Sequence, residues 1–424
     1  MDWDRLLASD RLRGGSSTPD SEPRNEFERD YDRILFSEPF RRLMDKTQVF
    51  PMPENDHVHN RLIHSLEVAS IGRSMGRLVG RAMSPDRSGV IGDVVASACL
   101  MHDLGNPPFG HAGEDAIASW FARPEHGEQL AALSALERSD LARFEGNAQS
   151  FRIVGRLAMY SDQGGMRLTL ATLAAAAKYP CGSLSRAFKK FNYFADDAGL
   201  FAEVAAGVGL HEIEAGAWVR HPLVYLVEAA DDLCYHIMDF EDGYILRLID
   251  ERTVREQLIA VIGVPELANK PRSISSLRAM AINTVIKQVA EAFWDREAAL
   301  LAGEPCKPLT KLIPAAPALD EIVKISIERC YRAHEVLRVE LAGYEVLGGL
   351  LDLLIPAVLA EPDRRSARDR KLLALLRLPL REDHGPYQRV LAVTDFLSAM
   401  TDRYAVRLFR ELRGTELAGA RGID

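Results

Sequence analysis

Histidines and carboxylates around residues 101–114, MHDLGNPPFGHAGE, carry the clearest chemistry in this sequence. His102 and Asp103 are adjacent, where the apolar run Val94–Met101 meets a Gly- and Pro-rich turn. Adjacent side chains on a helix point about 100° apart, so a small central ion is needed to gather them at one point. Imidazole with carboxylate suits divalent cations such as Mn²⁺, Fe²⁺, Co²⁺ or Mg²⁺. The pair therefore predicts a metal-dependent hydrolase.

A second histidine, His64, follows Arg61 by three residues on a predicted helix. This spacing places the two side chains on one face. The planar fork of arginine binds phosphate oxygens in two places, which suits a phosphate bound next to a metal ligand. A half-buried histidine beside a solvated arginine is the alternative for this pair taken alone. In combination with His102, Asp103 and Asp231, the pair favours a metal site that binds phosphate.

His111 and Glu114 follow the turn Pro107–Gly110 at a predicted helix start. A histidine that titrates near neutrality can protonate a leaving alkoxide, and a neighbouring carboxylate can fix its tautomer and raise its pKa. The alternative is that His111 only caps the helix. We favour a catalytic pair.

A polar stripe crosses the apolar helix that is predicted to follow Pro222. Asp231, Tyr235 and Asp239 stand at positions i, i+4 and i+8 of this helix. A carboxylate that faces inward is costly unless it is paired or bound to a metal. The alternative is that these acidic residues form a solvated face of the helix. This alternative fits Asp242 better than Asp231, because Asp231 has apolar neighbours on both sides.

Near the C-terminus, a short polar segment interrupts another apolar helix at Thr401–Tyr404, TDRY. A phosphate or base contact and a salt-bridged helix surface both stay open for it. The sequence contains no GxxxxGK[ST] phosphate loop, no nucleotide-fold glycine fingerprint and no GxSxG elbow. Phosphate chemistry in this chain is therefore expected to use a metal and side chains.

Composition and periodicity predict an all-α protein. Apolar residues recur at spacings of three and four along most of the 424 residues, and alternating strand-like segments are scarce. The net charge of −9 argues against a protein that coats nucleic acid. The five cysteines are scattered and form no CxxC motif, which predicts buried free thiols in a reducing compartment. We identify no signal peptide and no bilayer-spanning apolar run, which predicts a cytoplasmic protein without membrane contact.

An ordered set of motifs supports a more specific assignment. The set consists of Glu26–Phe50, Arg61–Ala69, Met101–Glu114, Phe144–Val154, Lys178–Pro180, Glu228–Asp242 and Met400–Ala405. In this order the motifs resemble the deoxyguanosine triphosphate triphosphohydrolase (dGTPase) family of the HD-domain superfamily, which is named for its His-Asp pair. The resemblance extends from about residue 24 to residue 412.

The resemblance implies an HD-domain helical phosphohydrolase fold with additional C-terminal helices. We expect a mobile N-terminal tail over residues 1–23 and an HD-type catalytic domain over residues 24–260. Residues 261–424 are expected to form a helical part that packs on the catalytic domain and completes the nucleotide pocket.

The resemblance also assigns roles to residues. The implied metal ligands are His64, His102, Asp103 and Asp231. The implied general acid is His111, supported by Glu114. The implied substrate-binding residues are Gln48, near the base or the sugar 3′-hydroxyl, and Arg61, Asp232, Tyr235 and Asp239, around the triphosphate and sugar.

The implied reaction hydrolyses a deoxynucleoside triphosphate (dNTP), with dGTP favoured, to deoxynucleoside and tripolyphosphate. The implied cofactor is a divalent metal, Mn²⁺ or Mg²⁺ first and Co²⁺ or Fe²⁺ as alternatives. The implied partners are a dNTP substrate, further copies of the chain in a homo-oligomer such as a hexamer, and single-stranded DNA or a nucleotide as effector. The alternatives are an HD phosphohydrolase of another nucleotide class and a catalytically quiet HD protein that senses nucleotides or binds single-stranded DNA.

Overall fold

Helices build almost all of the structure, a computed structural model that describes residues 1–14, 23–49, 59–159 and 164–416. The strands within these ranges form one antiparallel hairpin, β1 (Glu212–Glu214) and β2 (Ala217–Trp218). The predicted all-α class is confirmed.

The helices of the first half surround the motif-bearing segments. They are α1 (Trp3–Leu6), α2 (Glu26–Leu35), α3 (Glu38–Arg42), α4 (Arg61–Met83), α5 (Arg87–Met101), α6 (Gly110–Ala122), α7 (Ala135–Ala142), α8 (Gly146–Arg152), α9 (Leu170–Ala175), α10 (Ala198–Val208) and α11 (Val224–Ile245). The helices of the second half are α12 (Glu251–Ile262), α13 (Ile274–Ala302), α14 (Ala316–Ser326), α15 (His334–Leu359), α16 (Ala367–Leu376), α17 (Pro386–Ala399) and α18 (Asp402–Arg413).

The antiparallel pair α4 and α5 forms the centre of the fold. Three glycines of α4 at a spacing of four residues, Gly72, Gly76 and Gly80, face α5. A Cβ atom at Gly76 would lie 2.9 Å from the carbonyl oxygen of Ile91, and one at Gly80 would lie 2.6 Å from that of Arg87. The two backbones therefore approach as closely as glycine allows, and this brings the first turn of α4 next to the end of α5.

Two apolar cores share the described residues. The first core includes buried side chains of α1, α2, α4, α5 and α9–α14. The second core joins α6 and α7 to α15–α18. The expected domain division at residue 260 stays a prediction, and both cores contain residues from either side of it.

The first fourteen residues are folded, so the expected mobile tail over residues 1–23 is wrong for this part. Trp3, Leu6 and Leu12 are buried, and the Trp3 Nε1 atom donates a hydrogen bond to Glu297 Oε1 at 2.8 Å. Burial of these apolar side chains offsets the entropy cost of ordering the segment. Residues 15–22 lie outside the described ranges.

One helix in the described residues, over Val336–Leu359, is long and apolar enough to span a membrane by length and composition. The expectation that no apolar run is long enough to span a bilayer is wrong for this segment of α15. The mean hydropathy of its most apolar 18-residue window is 1.6, and 56% of that window is buried within the protein. Packing against α6, α17 and α18 accounts for its apolar character.

Substitution at Gly76 tests the close approach of α4 and α5. Gly76→Ala should lower the thermal midpoint, because overpacking costs about 1–3 kcal/mol and exceeds the roughly 1 kcal/mol that alanine gains over glycine in a helix. Gly89 on α5 is the matched control, since a Cβ atom there meets nothing within 4 Å. Gly89→Ala should leave the midpoint unchanged or raise it. Equal effects of the two variants, measured by circular dichroism melts, would contradict the proposed packing.

Candidate active site

A cavity of about 360 Å³ lies beside the first turn of α4 and the end of α5. Every predicted site residue except Asp239 lines this cavity. The predicted site residues among its lining are Gln48, Arg61, His64, His102, Asp103, His111, Glu114, Asp231, Asp232 and Tyr235. The volume of the cavity is in the range of small-molecule sites.

The predicted metal ligands lie together at the base of the cavity. One ligand atom from each of His64, His102 and Asp103 lies within 4.8 Å of the other two. Asp231 Oδ1 lies 3.2 Å from His64 Nε2 and 3.6 Å from His102 Nε2. His102 Nδ1 donates to the Cys99 carbonyl oxygen at 2.6 Å, which leaves Nε2 as the acceptor. That buried Nε2 atom has no hydrogen-bond partner, so the donor set fits a divalent cation.

The two carboxylates of this cluster are held in their charged form. Burial alone would raise the pKa of Asp103, but Arg61 and His102 outweigh it and lower the pKa to about 2. Burial likewise opposes ionisation of Asp231, but the His102 imidazole and the hydrogen bond with His64 outweigh it and hold the pKa of Asp231 well below its usual range. Both side chains are therefore anionic at neutral pH, as metal ligands must be.

Arg61 is buried, and three of its five N–H groups donate to protein oxygens. Its Nη1 atom donates to Asp103 Oδ2 at 2.7 Å, and its Nε and Nη2 atoms donate to the Thr47 carbonyl oxygen at 3.1 and 2.9 Å. The guanidinium borders the cavity. In this arrangement Arg61 orients a proposed metal ligand, and its expected contact with a triphosphate stays a prediction.

His111 lies on the first turn of α6 and faces the cavity. Burial, followed by the positive charges of Arg61 and Lys190, lowers the pKa of His111. Within the described residues no hydrogen bond joins His111 to Glu114. The expectation that Glu114 fixes the His111 tautomer and raises its pKa is therefore wrong for this structure, because the Glu114 carboxylate turns toward α8.

Glu114 instead accepts a hydrogen bond from the Gly146 amide at 2.8 Å. Lys190 Nζ lies 3.8 Å from Glu114 Oε2 and 3.0 Å from Glu145 Oε2. Burial and the nearby Glu145 carboxylate raise the pKa of Glu114 to about 8. Glu114 is thus a buried carboxyl group that binds its proton near neutral pH.

The polar stripe on α11 lies partly in the cavity and partly in the protein interior. Asp232 accepts a hydrogen bond from Thr310 Oγ1 at 2.7 Å, and burial raises the pKa of Asp232 to about 6. Tyr235 stacks on Tyr331 with ring centroids 5.3 Å apart. Asp239 does not line the cavity, because it is buried one turn further along and accepts a bond from the Tyr331 hydroxyl at 3.1 Å.

Gln48 borders the cavity from the segment before α4, and its Oε1 atom is buried without a hydrogen-bond partner. A buried amide oxygen without a partner is costly, so it is a ready acceptor for a ligand hydroxyl or amine.

Two lysines of the cavity were missed by sequence reasoning. Lys178 Nζ lies 3.2 Å from Glu228 Oε1, and Lys190 pairs with Glu145 as described above. Lys178 belongs to the KYP motif and could have been selected on that ground. Lys190 lies in an irregular segment without apolar periodicity, and only the three-dimensional structure brings it to the cavity.

The HD domain family model matches residues 61–158, which include α4, α5 and both His64 and the His102–Asp103 pair. These features define an HD-domain protein. The chain is 41% identical to a deoxyguanosinetriphosphate triphosphohydrolase-like protein of Synechocystis sp., over 98% of this chain and 100% of the relative. It is 38% identical to a protein of the same description from Pseudomonas aeruginosa, over 98% and 99% of the two chains.

A deoxyguanosinetriphosphate triphosphohydrolase of Salmonella typhimurium is 28% identical, over 92% of this chain and 94% of the relative. The protein therefore belongs to the deoxyguanosine triphosphate triphosphohydrolase family of the HD-domain superfamily.

The raised pKa of Glu114 predicts a pH dependence of stability. Between its ordinary value of 4.5 and about 8, the folded protein holds a proton that the unfolded chain releases, so the free energy of unfolding falls as pH rises through this window. Glu114→Gln keeps the acceptor for Gly146 and removes the titration. Its urea midpoint should fall less steeply between pH 5 and 8 than that of wild type, whereas Glu128→Gln, at an exposed position, should match wild type. If the urea midpoint of Glu114→Gln fell with pH as steeply as that of wild type, the raised pKa of Glu114 would be refuted.

Proposed function

We propose that this protein is a metal-dependent triphosphohydrolase that cleaves a dNTP, with dGTP favoured, to deoxynucleoside and tripolyphosphate. The observation that supports this most directly is the sharing of one cavity by a metal-ligand cluster, a histidine proton donor and two lysines. The names of the relatives point to the same substrate class.

His64, His102, Asp103 and Asp231 hold the divalent metal in this proposal. Mn²⁺ or Mg²⁺ is our first choice and Co²⁺ or Fe²⁺ the alternative, since two imidazoles with two carboxylates suit all four. When bound, such an ion acts as a Lewis acid toward phosphoryl oxygen and water.

Lys178 and Lys190 provide the positive charge for the triphosphate. Both side chains border the cavity, and each is held by a carboxylate of its own, Glu228 or Glu145. The paired carboxylates fix the ammonium groups without removing their donors, because each ammonium has three N–H bonds. The chain thereby offers oriented donors to an anion of high charge.

His111 delivers the proton that the leaving group needs. A water oxygen attacks the α-phosphorus, the bond from this phosphorus to the sugar O5′ breaks, and the leaving oxygen takes a proton from His111. The attacking water releases one proton, which restores the proton of His111, and its oxygen and second proton stay on the tripolyphosphate. In the free protein burial and, after it, the positive charges of Arg61 and Lys190 lower the pKa of His111. A bound triphosphate offsets these charges, so substrate binding itself raises the proton occupancy of His111.

The nucleoside end of the substrate lies toward Gln48 and Tyr235 in this proposal. The free Oε1 atom of Gln48 accepts a hydrogen bond from the sugar or base, and the Tyr235 ring offers an apolar face. Asp232 lies deeper on the same helix, near the phosphates. Asp239 acts through Tyr331, which it holds by a hydrogen bond. A homo-oligomer and an effector role for single-stranded DNA or a nucleotide stay predictions.

Anion-exchange analysis of products tests the reaction. Each of the four dNTPs is incubated with the protein and Mn²⁺, and we expect nucleoside plus tripolyphosphate, fastest with dGTP. Monophosphate plus pyrophosphate would place the cut at another bond and contradict the role of His111. Absence of turnover with single dNTPs, with their mixture and with Mg²⁺ or Co²⁺ would contradict the proposed activity.

The proton donor is tested by His111→Ala. We expect kcat to fall roughly 10²–10⁴-fold, the usual contribution of a general acid, with dNTP affinity nearly retained. His211→Ala is the control, because His211 is exposed and outside the cavity. An unchanged kcat in His111→Ala would refute the role.

The metal ligands are tested by Asp103→Asn, which keeps the shape of the side chain and removes its charge. Bound metal and activity should be lost together, with metal affinity reduced at least about 100-fold, beyond the effect of most supporting residues. Asp93→Asn is the matched control, since Asp93 is a buried carboxylate on α5, the helix that precedes Asp103, and accepts a hydrogen bond from Asn25 Nδ2 outside the cavity. Wild-type metal content in Asp103→Asn, by elemental analysis after desalting, would contradict the ligand set.

A further inference from the structure

Asp402, the first residue of α18, is buried at 1% exposure and connects three distant segments. Its Oδ1 atom accepts a hydrogen bond from the Phe109 amide at 3.0 Å. Its Oδ2 atom accepts from the Thr47 amide at 3.0 Å and also from the Thr47 hydroxyl. Asp402 does not line the cavity. The two descriptions left open by the sequence, a phosphate contact and a salt-bridged surface, are therefore both wrong for this residue.

The hydrogen bonds from Thr47 to Asp402 connect Asp402, through Arg61, to the proposed metal ligand Asp103. The Thr47 carbonyl oxygen accepts from both Nε and Nη2 of Arg61, whose Nη1 holds Asp103. Thr47 also precedes Gln48 in the chain. A displacement of Thr47 therefore changes the orientation of Arg61 and, through it, of a proposed metal ligand.

The hydrogen bond from the Phe109 amide connects Asp402 to the segment that precedes the proposed proton donor His111. Phe109 has a φ of 66° and Gly110 a φ of 58°, so two consecutive residues adopt the left-handed conformation immediately before His111. This conformation is unfavourable for an aromatic residue and persists where surrounding contacts enforce it. The carboxylate of Asp402 supplies such a contact to the Phe109 amide. It thereby sets the direction in which α6 begins.

We propose that Asp402 is a positioning residue that fixes the proton donor His111 relative to the metal cluster. This inference rests on the proposed function for its catalytic consequence. A single carboxylate serves both sides because its two oxygens accept independently. Misplacement of reacting groups by about 1 Å can lower a rate about 100-fold, so a residue outside the cavity can control turnover.

The variants Asp402→Asn and Asp402→Ala test the proposal. Asparagine retains one oxygen acceptor, so one of the two connections survives, whereas alanine removes both. We expect kcat to fall roughly tenfold in Asp402→Asn and roughly 100-fold in Asp402→Ala, with metal content by elemental analysis unchanged in Asp402→Asn. Assays are run well below the melting temperature of every variant.

Asp30→Asn is the matched control. Asp30 is also a fully buried carboxylate, and it does not line the cavity. Its Oδ1 atom accepts a hydrogen bond from Arg11 Nη1 at 2.8 Å, and its Oδ2 atom accepts from the Thr169 amide at 2.9 Å and from the Thr169 hydroxyl at 2.6 Å. Asp30→Asn should lose stability to a similar degree while its kcat changes less than about threefold. Equal losses of kcat in Asp402→Asn and Asp30→Asn, in folded protein, would overturn the positioning role.

Hydrogen exchange supplies a readout that is independent of activity. Amide exchange should accelerate roughly tenfold in Asp402→Asn at whichever of Thr47 and Phe109 loses its acceptor, and at both amides in Asp402→Ala, while both remain at the wild-type rate in Asp30→Asn. Wild-type exchange at both amides in Asp402→Asn would overturn the inference even if the protein hydrolyses dNTPs. Accelerated exchange in a protein whose wild type has no turnover would support the connection and contradict only the proposed function.

Discussion

The arrangement of the site depends on the buried ion pair between Arg61 and Asp103. Removal of one partner from such a pair leaves an uncompensated charge and typically costs about 3–5 kcal/mol. The pair persists because further acceptors and donors complete it, from the Thr47 carbonyl on one side and the Asn106 amide on the other. Asp103 therefore stays anionic in the interior, and the two neighbouring histidines meet a fixed negative charge.

The electrostatics of the cavity differ between its two ends. At the metal cluster, imidazoles and Arg61 keep Asp103 and Asp231 ionised. Away from it, burial and mutual repulsion keep Glu114 near its protonated form. This separation lets one cavity contain many carboxyl groups without a uniform negative charge. The ionised carboxylates are concentrated at the proposed metal ligands, where a bound cation would compensate them.

Local motifs predicted the residues that line the candidate site, and contacts between segments distant in sequence determine the hydrogen-bond partners of these residues. His102 and Asp103 are adjacent and lie at a helix end, so spacing alone indicated a metal site, and helical periodicity indicated the fold class. Asp402 bonds to Thr47 across 355 residues, and no local pattern encodes that distance. Glu114 was assigned to His111 because the two are three residues apart, whereas tertiary packing directs its carboxylate to Gly146.

The proposed proton donor and the metal cluster belong to different apolar cores. His64 and His102 are carried by α4 and α5 of the first core, and His111 begins α6, whose apolar face packs in the second core against α15. Local opening between two cores requires less free energy than global unfolding. A relative movement of the two cores would therefore separate the proposed proton donor from the proposed metal ligands without unfolding either core, so the geometry of the site depends on the cohesion of the two cores rather than on the stability of either one.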